Sequence, residues 1–203
     1  MKDLGNVKDI LGMRVERQGD IGNIKITHKY YIEKLLERFG MRECNPTGTP
    51  LESNASAIIQ ETQLEEKENE RIDEPYRELV GCLIYLANAS RPDIAFAANL
   101  LSRFCNNPKQ THWKMAKRVL RYLKGTIDYG INYVKEKDSL VAYTDFDWGG
   151  NTIDRRSNTG YLVYLAGGPV SWNSKKQKTV ALSTMEAEYM ALTEVTKEII
   201  KLF

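Results

Sequence analysis

The sequence reads LVAYTDFDW at 140–148, TGYLVYLAG at 159–167, VSWNS at 170–174 and TVALS at 179–183. These runs are rich in β-branched and aromatic residues, and glycine-rich or polar residues separate them, which predicts an antiparallel sheet. The following STME, at 183–186, has the form of a capping box and predicts that a helix begins there and continues toward the end of the chain. A sheet followed by a helix places this part of the chain in the α+β class.

The N-terminal part predicts a β-hairpin followed by one helix. Residues 7–18 and 24–27 alternate between apolar and polar side chains on either side of a turn-forming stretch at 19–23. Apolar side chains then recur at helical spacing over 32–39, and Gly40 follows as a C-terminal cap. We expect this helix to pack on the hairpin.

A connecting segment and a helical bundle are predicted next. Residues 43–74 contain two prolines and then the acidic tract ETQLEEKENERIDE at 61–74, which has no apolar period, so we expect a mobile linker. Three helical patterns follow, over 76–87, from Pro92 onward and after Pro108. Because the links between them are short, they favour a small three-helix bundle.

The third helix of the bundle carries the clearest charge pattern. One side is apolar, and the other side carries five cations: Lys114, Lys117, Arg118, Arg121 and Lys124. No acidic residue occurs between Asp93 and Asp128, so the local sequence offers this row no carboxylate partner. A row of unpaired cations is suited to a phosphate backbone, which predicts nucleic-acid contact. An ordinary solvated helix face is the alternative.

Composition limits the class of protein. Of the 203 residues, 42% are hydrophobic and 28% are charged, which is typical of a globular chain, and the formal net charge is only +2. Cys44, Cys82 and Cys105 form no CxxC pair and favour neither a disulfide framework nor a zinc site. The polar N-terminus and the lack of a long apolar run argue against a signal peptide and a membrane span. His28 and His112, the only histidines, show no pattern for catalysis or metal binding.

A series of short motifs runs through the whole chain. In order they are MKDLG, DILG, YIEKLLERFGM, TPLE, YRELVGCLIYLA, RPDIAFA, LSRF, THWK, RVLRYLKGT, AYTDFDWGG, DRRSNTGY, SWNSKKQ and LSTMEAEYMAL. This ordered series resembles the Pol polyprotein of copia-type LTR retrotransposons, and the resemblance covers essentially the entire sequence.

The resemblance implies a division of the chain into four parts. They are the end of a reverse-transcriptase palm with a primer-grip-like hairpin and helix at 1–42, an acidic linker at 43–74, thumb- or connection-like helices at 75–136, and a truncated RNase H-like domain at 137–203. The last part would hold a partial RNase H-like antiparallel sheet with one helix. The implied parent function is RNA-directed DNA synthesis coupled to two-metal hydrolysis of RNA in RNA–DNA hybrids.

Two carboxylates are the candidate catalytic and metal-binding residues. Asp145 lies on a predicted strand and Glu188 in the first turns of the helix after the sheet, so the two could face each other and hold Mg²⁺. From spacing alone, a cap or a solvated charge is the stronger interpretation of each carboxylate. The resemblance implies the same pair, since Asp145 matches the first RNase H carboxylate and Glu188, in AEYMA, matches the helix glutamate. Motif register favours them over Asp147 and Glu186, although the choice between Glu186 and Glu188 stays open.

Two arginines and three tryptophans complete the set of candidate residues. Arg155 and Arg156, in the turn between the first two strands of the sheet, are expected to contact backbone phosphates, with a charged hairpin tip as the alternative. Trp113, Trp148 and Trp172 are interpreted as core or rim packing, and not as base-stacking platforms.

The resemblance also implies what this sequence lacks. Neither the Asp-Asp motif of the polymerase nor the two later RNase H aspartates occur in it, so we expect weak or absent Mg²⁺ binding, and whether the chain is an enzyme stays open. The alternatives are a catalytically inactive nucleic-acid-binding remnant and a structural fragment that needs a partner. The expected partner is an RNA–DNA hybrid or a DNA duplex, with no membrane, and the exposed sheet edge is expected to favour self-association. The expected location is the cytoplasm, in virus-like particles, or the nucleus.

Overall fold

The structure is a computed structural model that describes residues 5, 7–18, 22–55, 57–59, 72–135, 139–147, 158–177 and 183–202. These residues form helices together with one four-stranded and one three-stranded antiparallel sheet. The predicted α+β class is therefore confirmed.

The four-stranded sheet begins with a very short hairpin that the sequence pattern did not predict. Strands β1 (Asp9–Ile10) and β2 (Met13–Gln18) pair across a tight turn at Leu11 and Gly12, whose φ angles are 50° and 78°. Positive φ at both central residues is the geometry of a two-residue hairpin turn. The prediction of one strand through this region is wrong, although β2 does pair with β3 (Asn23–Thr27) as the predicted hairpin requires.

The fourth strand of this sheet comes from much later in the chain. Strand β4 (Gly130–Tyr133) pairs antiparallel with β3 and places Gly130 opposite Thr27. A Cβ at Gly130 would lie 2.2 Å from the carbonyl oxygen of Ile26, so the two strands approach closely because position 130 has no side chain. The region 75–136, for which the sequence predicts thumb- or connection-like helices, therefore also contains a strand, and its last residues complete the N-terminal sheet.

The helices lie where the apolar spacing predicted them. They are α1 (Lys29–Arg38), α2 (Tyr76–Ala89), a 3-10 turn (Pro92–Ile94) that leads into α3 (Ala95–Ser102), and α4 (Gln110–Gly125). Gly40 ends the first helix region with a φ of 63°, as its predicted capping role requires. Apolar side chains of these helices form the main buried core. No helix in the described part of the chain is long and apolar enough to cross a membrane.

The three-stranded sheet consists of β5 (Val141–Asp147), β6 (Asn158–Leu165) and β7 (Gly168–Lys176), paired in that order. Helix α5 (Thr184–Leu202) follows, and the Ser183 hydroxyl accepts the backbone N–H of Glu186 at 3.1 Å, which is one half of the predicted capping box. The strand predicted at TVALS, apart from its final serine, lies outside the described residues.

The two sheets are linked through β7. The indole N–H of Trp172 donates to the carbonyl oxygen of Ala87 in α2 at 2.6 Å, and the Tyr133 hydroxyl donates to the carbonyl of Pro169 at 2.8 Å. Trp172 is half-buried at this junction, in keeping with its interpretation as a packing residue. These bonds hold the C-terminal sheet against the helices and against β4.

Candidate functional site

The basic row is found on α4 as predicted, but its members differ in exposure. Lys114 is exposed, whereas Lys117, Arg118, Arg121 and Lys124 are only partly so. The opposite side of the helix is fully buried and comprises Ala116, Val119, Leu120 and Leu123. The amphipathic spacing therefore fixes which side of α4 carries the charges, and the surrounding chain determines how far each charge reaches solvent.

Arg118 has a carboxylate partner from a distant part of the chain. Its Nη1 lies 3.2 Å from Oε1 of Glu52, and its Nη2 donates to the Thr49 hydroxyl at 3.1 Å. The prediction that the row lacks carboxylate partners is therefore wrong at this position. Glu52 lies 66 residues before Arg118, so the local sequence around α4 could not reveal the pair.

Two further cations of the row bind backbone carbonyls of the same segment. Arg121 Nε donates to the carbonyl of Asn45 at 2.7 Å, and Lys124 Nζ donates to that of Cys44 at 2.7 Å. Together with Glu52, these contacts anchor residues 44–52 along α4. The expectation of a mobile linker is wrong for this stretch, while most of the acidic tract lies outside the described residues.

Lys114 and Lys117 are the members of the row that remain available to a partner. Lys117 Nζ lies 5.5 Å from the ring centroid of the buried Trp113, a distance typical of a cation–π contact. Within the described residues, neither lysine forms an ion pair with a carboxylate. The candidate phosphate-binding surface is therefore reduced to the N-terminal half of α4.

Asp145 is exposed near the end of β5, where it stands opposite Gly160. The adjacent Thr144 stands opposite Tyr161, and Tyr161 lines a cleft together with Met190 of α5. Because successive side chains of a strand point to opposite faces, Asp145 is directed to the sheet face that α5 does not cover.

Glu188 is exposed on the first turns of α5, three residues before Ala191 and seven before Val195. These two residues are 1% and 5% exposed, so Glu188 continues the helical stripe that faces the sheet. Glu186 lies on the neighbouring stripe, and its backbone N–H donates to the Ser183 hydroxyl, which caps the helix. Glu188 therefore lies on the sheet-facing stripe of α5, and its assignment as the metal ligand stays a prediction.

The described residues do not by themselves fit a Mg²⁺ site. They contain no group of three or more metal-ligating side chains, and Asp145 and Glu188 belong to different faces of the sheet. Mg²⁺ prefers an octahedral set of oxygen ligands, which two separated carboxylates cannot provide. Arg155, Arg156 and Trp148 lie outside the described residues, as does the side chain of Asp147.

A buried network that the sequence did not predict surrounds His28. The Tyr85 hydroxyl donates to the Leu11 carbonyl in the tight turn, and the Tyr85 oxygen lies 3.2 Å from His28 Nε2. Since Tyr85 uses its proton on that carbonyl, His28 must donate from Nε2, and its Nδ1 then accepts the hydroxyl of Ser90 at 2.5 Å. Burial, with the nearby charge of Arg91, lowers the pKa of His28 to about 4, which keeps the ring neutral.

A second buried cluster explains the RPD sequence at 91–93. The Arg91 side chain is 1% exposed, and it pairs with Asp93 at 2.7 Å while donating to the carbonyl of Thr126 at 3.1 Å. The Tyr122 hydroxyl also donates to Asp93, at 2.8 Å. The cluster joins the start of α3 to the end of α4 through the buried Arg91 guanidinium and the exposed Asp93 carboxylate.

The sequence of this chain is similar to those of several known proteins. The chain is 44% identical over 202 residues to the Retrovirus-related Pol polyprotein from transposon TNT 1-94 of Nicotiana tabacum. It is 38% identical over 204 residues to the Retrovirus-related Pol polyprotein from transposon RE2 of Arabidopsis thaliana, and 34% identical over 200 residues to an uncharacterized mitochondrial protein of that plant. Each similarity covers 98% of this chain.

These relatives differ greatly in length. The chain spans 15% of the Nicotiana polyprotein and 13% of the Arabidopsis polyprotein, but 80% of the mitochondrial protein. No protein-family model and no solved structure matches the chain.

Proposed function

Because the chain belongs to the family of copia-type retrotransposon Pol polyproteins, we propose that it forms the junction between the reverse transcriptase and RNase H parts of such a protein and binds RNA–DNA hybrid there. Residues 1–136 would form the end of the polymerase part, and residues 137–203 would form the beginning of the RNase H part. The observation that carries the proposal is the similarity to two plant Pol polyproteins over 98% of the chain.

The packing of the two sheets supports a junction role. The N-terminal sheet is completed by β4, and β4 contacts β7 through the Tyr133 to Pro169 hydrogen bond. The Trp172 bond to Ala87 provides a second link, from β7 to the helical bundle. A hybrid that lies across both parts would therefore meet one connected surface.

The N-terminal half of α4 supports the hybrid-binding role. Lys114 and Lys117 can approach phosphates without first breaking an ion pair, whereas Arg118 would have to leave Glu52. Each phosphate contact releases condensed counterions, so binding through these lysines depends on salt concentration. Arg155 and Arg156, which lie outside the described residues, stay predicted phosphate contacts.

The test is the salt dependence of hybrid binding, measured by fluorescence anisotropy with a labelled RNA–DNA duplex. Replacing Lys114 and Lys117 by alanine should reduce the slope of log affinity against log salt by up to about 2, since each phosphate contact contributes roughly 0.9. The matched control, Lys34→Ala with Lys201→Ala, removes the same charge from exposed positions on α1 and α5. A control variant that reduces the slope as much as the Lys114 and Lys117 variant would refute binding through α4.

Hydrolysis of the RNA strand is the second candidate function. It is supported by the similarity to the two plant Pol polyproteins, and because Asp145 and Glu188 belong to different faces of the sheet, it requires metal ligands from beyond the described residues. The protein would be incubated with labelled hybrid and Mg²⁺, beside an Asp145→Asn variant that keeps the shape of the side chain. Cleavage that the variant abolishes supports this function, and equal product from both proteins would assign the cleavage to a contaminant.

A further inference from the structure

A cleft of about 390 Å³ lies between the three-stranded sheet and α5. The sheet side is lined by Tyr161, Lys175 and Gln177, among others, and the helix side by Met190 and Lys197. A volume of this size is within the range of small-molecule sites. The cleft is on the α5 side of the sheet, and therefore on the opposite face from Asp145.

Gln177 gives the cleft a buried hydrogen-bond acceptor. The side chain is 7% exposed, and its Nε2 donates to the Thr159 hydroxyl at 2.8 Å. Its Oε1 is buried and finds no hydrogen-bond partner in the described part of the chain. An unpaired buried carbonyl is unfavourable, so a ligand that donates an N–H group to it would recover free energy.

The charges of the cleft favour an anion. Glu194 lies 3.0 Å from Lys197, and this hydrogen bond, together with the charges of Lys197, Lys175 and Lys201, lowers the pKa of Glu194. Glu194 is therefore ionised and neutralises Lys197. Lys175 forms no ion pair among the described residues, which leaves the cleft with one uncompensated positive charge.

The remaining lining provides contacts for a flat ring. Tyr161 offers an aromatic surface and Met190 a polarisable thioether, and both types of side chain pack favourably against heterocycles. We propose that this cleft binds a nucleoside monophosphate, with a base N–H donated to Gln177 Oε1 and the phosphate held by Lys175. The proposal does not depend on hybrid binding through α4 or on catalysis at Asp145.

Isothermal titration of the whole chain with 5′-AMP, adenosine and inorganic phosphate tests the site. The expected result is saturable binding of 5′-AMP in the millimolar range or tighter, with much weaker binding of adenosine and phosphate alone. Lys175→Met should weaken 5′-AMP binding by about tenfold, because a charge-assisted hydrogen bond is lost. Lys201→Met, at an exposed residue of α5 that does not line the cleft, should bind 5′-AMP as the parent protein does.

Gln177→Leu removes the buried acceptor and should also weaken binding by about tenfold. Circular dichroism would establish that this variant is folded, and the exposed Lys175 variant provides the test if it is not. The proposal is overturned if 5′-AMP does not bind, or if Lys175→Met binds it as tightly as the parent protein. Inorganic phosphate that binds as tightly as 5′-AMP would also overturn it, since the base would then contribute nothing.

Discussion

The two histidines should make the protein sensitive to mild acid. His28 is fully buried and His112 is 2% exposed, and burial lowers the pKa of each from 6.5 to about 4. The unfolded chain then binds more protons than the folded one between pH 6.5 and pH 4. The contribution of the neutral histidines to the free energy of unfolding is therefore fully present above pH 6.5, and it is lost as the pH falls through this window.

The magnitude follows from the pKa values. For each histidine, lowering the pH from 7 to 5 should cost about 2 kcal/mol of unfolding free energy, so the two together should cost about 4 kcal/mol. This is a large part of the roughly 5–15 kcal/mol that stabilises a typical domain. Among the described residues, the carboxylates whose pKa is shifted, Asp128 and Glu194, are shifted downward from 3.8 and 4.5, so most of the stability that they contribute is kept down to pH 5.

Urea unfolding followed by circular dichroism at pH 7, 6 and 5 measures this loss. His112→Asn is the matched variant, because an amide oxygen can replace Nδ1 as acceptor of the Lys109 backbone N–H, which lies at 3.0 Å. This variant should lose only about half as much stability on acidification. Equal stability of the parent protein at pH 7 and pH 5, or an unchanged acid response in His112→Asn, would refute the reasoning.

Three further predictions concern packing, and each is measured by urea unfolding. Gly130→Ala should destabilise the protein by about 1–3 kcal/mol, because its Cβ would overlap the neighbouring strand, whereas Gly48→Ala, with nothing within 4 Å, should change little. Trp172→Phe should cost about 1 kcal/mol by leaving the Ala87 carbonyl without its donor, and an unchanged midpoint would contradict that bond. Arg91→Met should cost about 1–3 kcal/mol because it leaves the buried Thr126 carbonyl without its donor, and a loss below about 0.5 kcal/mol would show that the cluster is dispensable.

The elements governed by local pattern were predictable from the sequence. The helices followed from apolar residues at helical spacing, and their ends from local signals such as Gly40 and Pro92. Three strands of the C-terminal sheet followed from alternating runs separated by turns, whereas the fourth predicted run, TVALS, lies almost wholly outside the described residues. In each case the signal and the structure it predicts lie within a few residues of each other.

Contacts between distant segments could not be predicted in this way. The pairing of β4 with β3 and the ion pair of Arg118 with Glu52 join residues far apart in the chain. The sequence around β4 does not indicate which strand it pairs with, since four residues are too few to show a period. The sequence around Glu52 does not indicate its partner either, since a single carboxylate can face any direction. The predicted row of unpaired cations was wrong for the same reason.

The placement of the candidate carboxylates depends both on local sequence pattern and on contacts between distant segments. The sequence alone determined that Asp145 is on a strand and Glu188 on the following helix, because residue order and local pattern decide secondary structure. It also determined the family, through an ordered series of motifs. Only the tertiary structure decided on which face of the sheet each carboxylate lies. That face depends on the strand register and on the side of the sheet to which α5 packs.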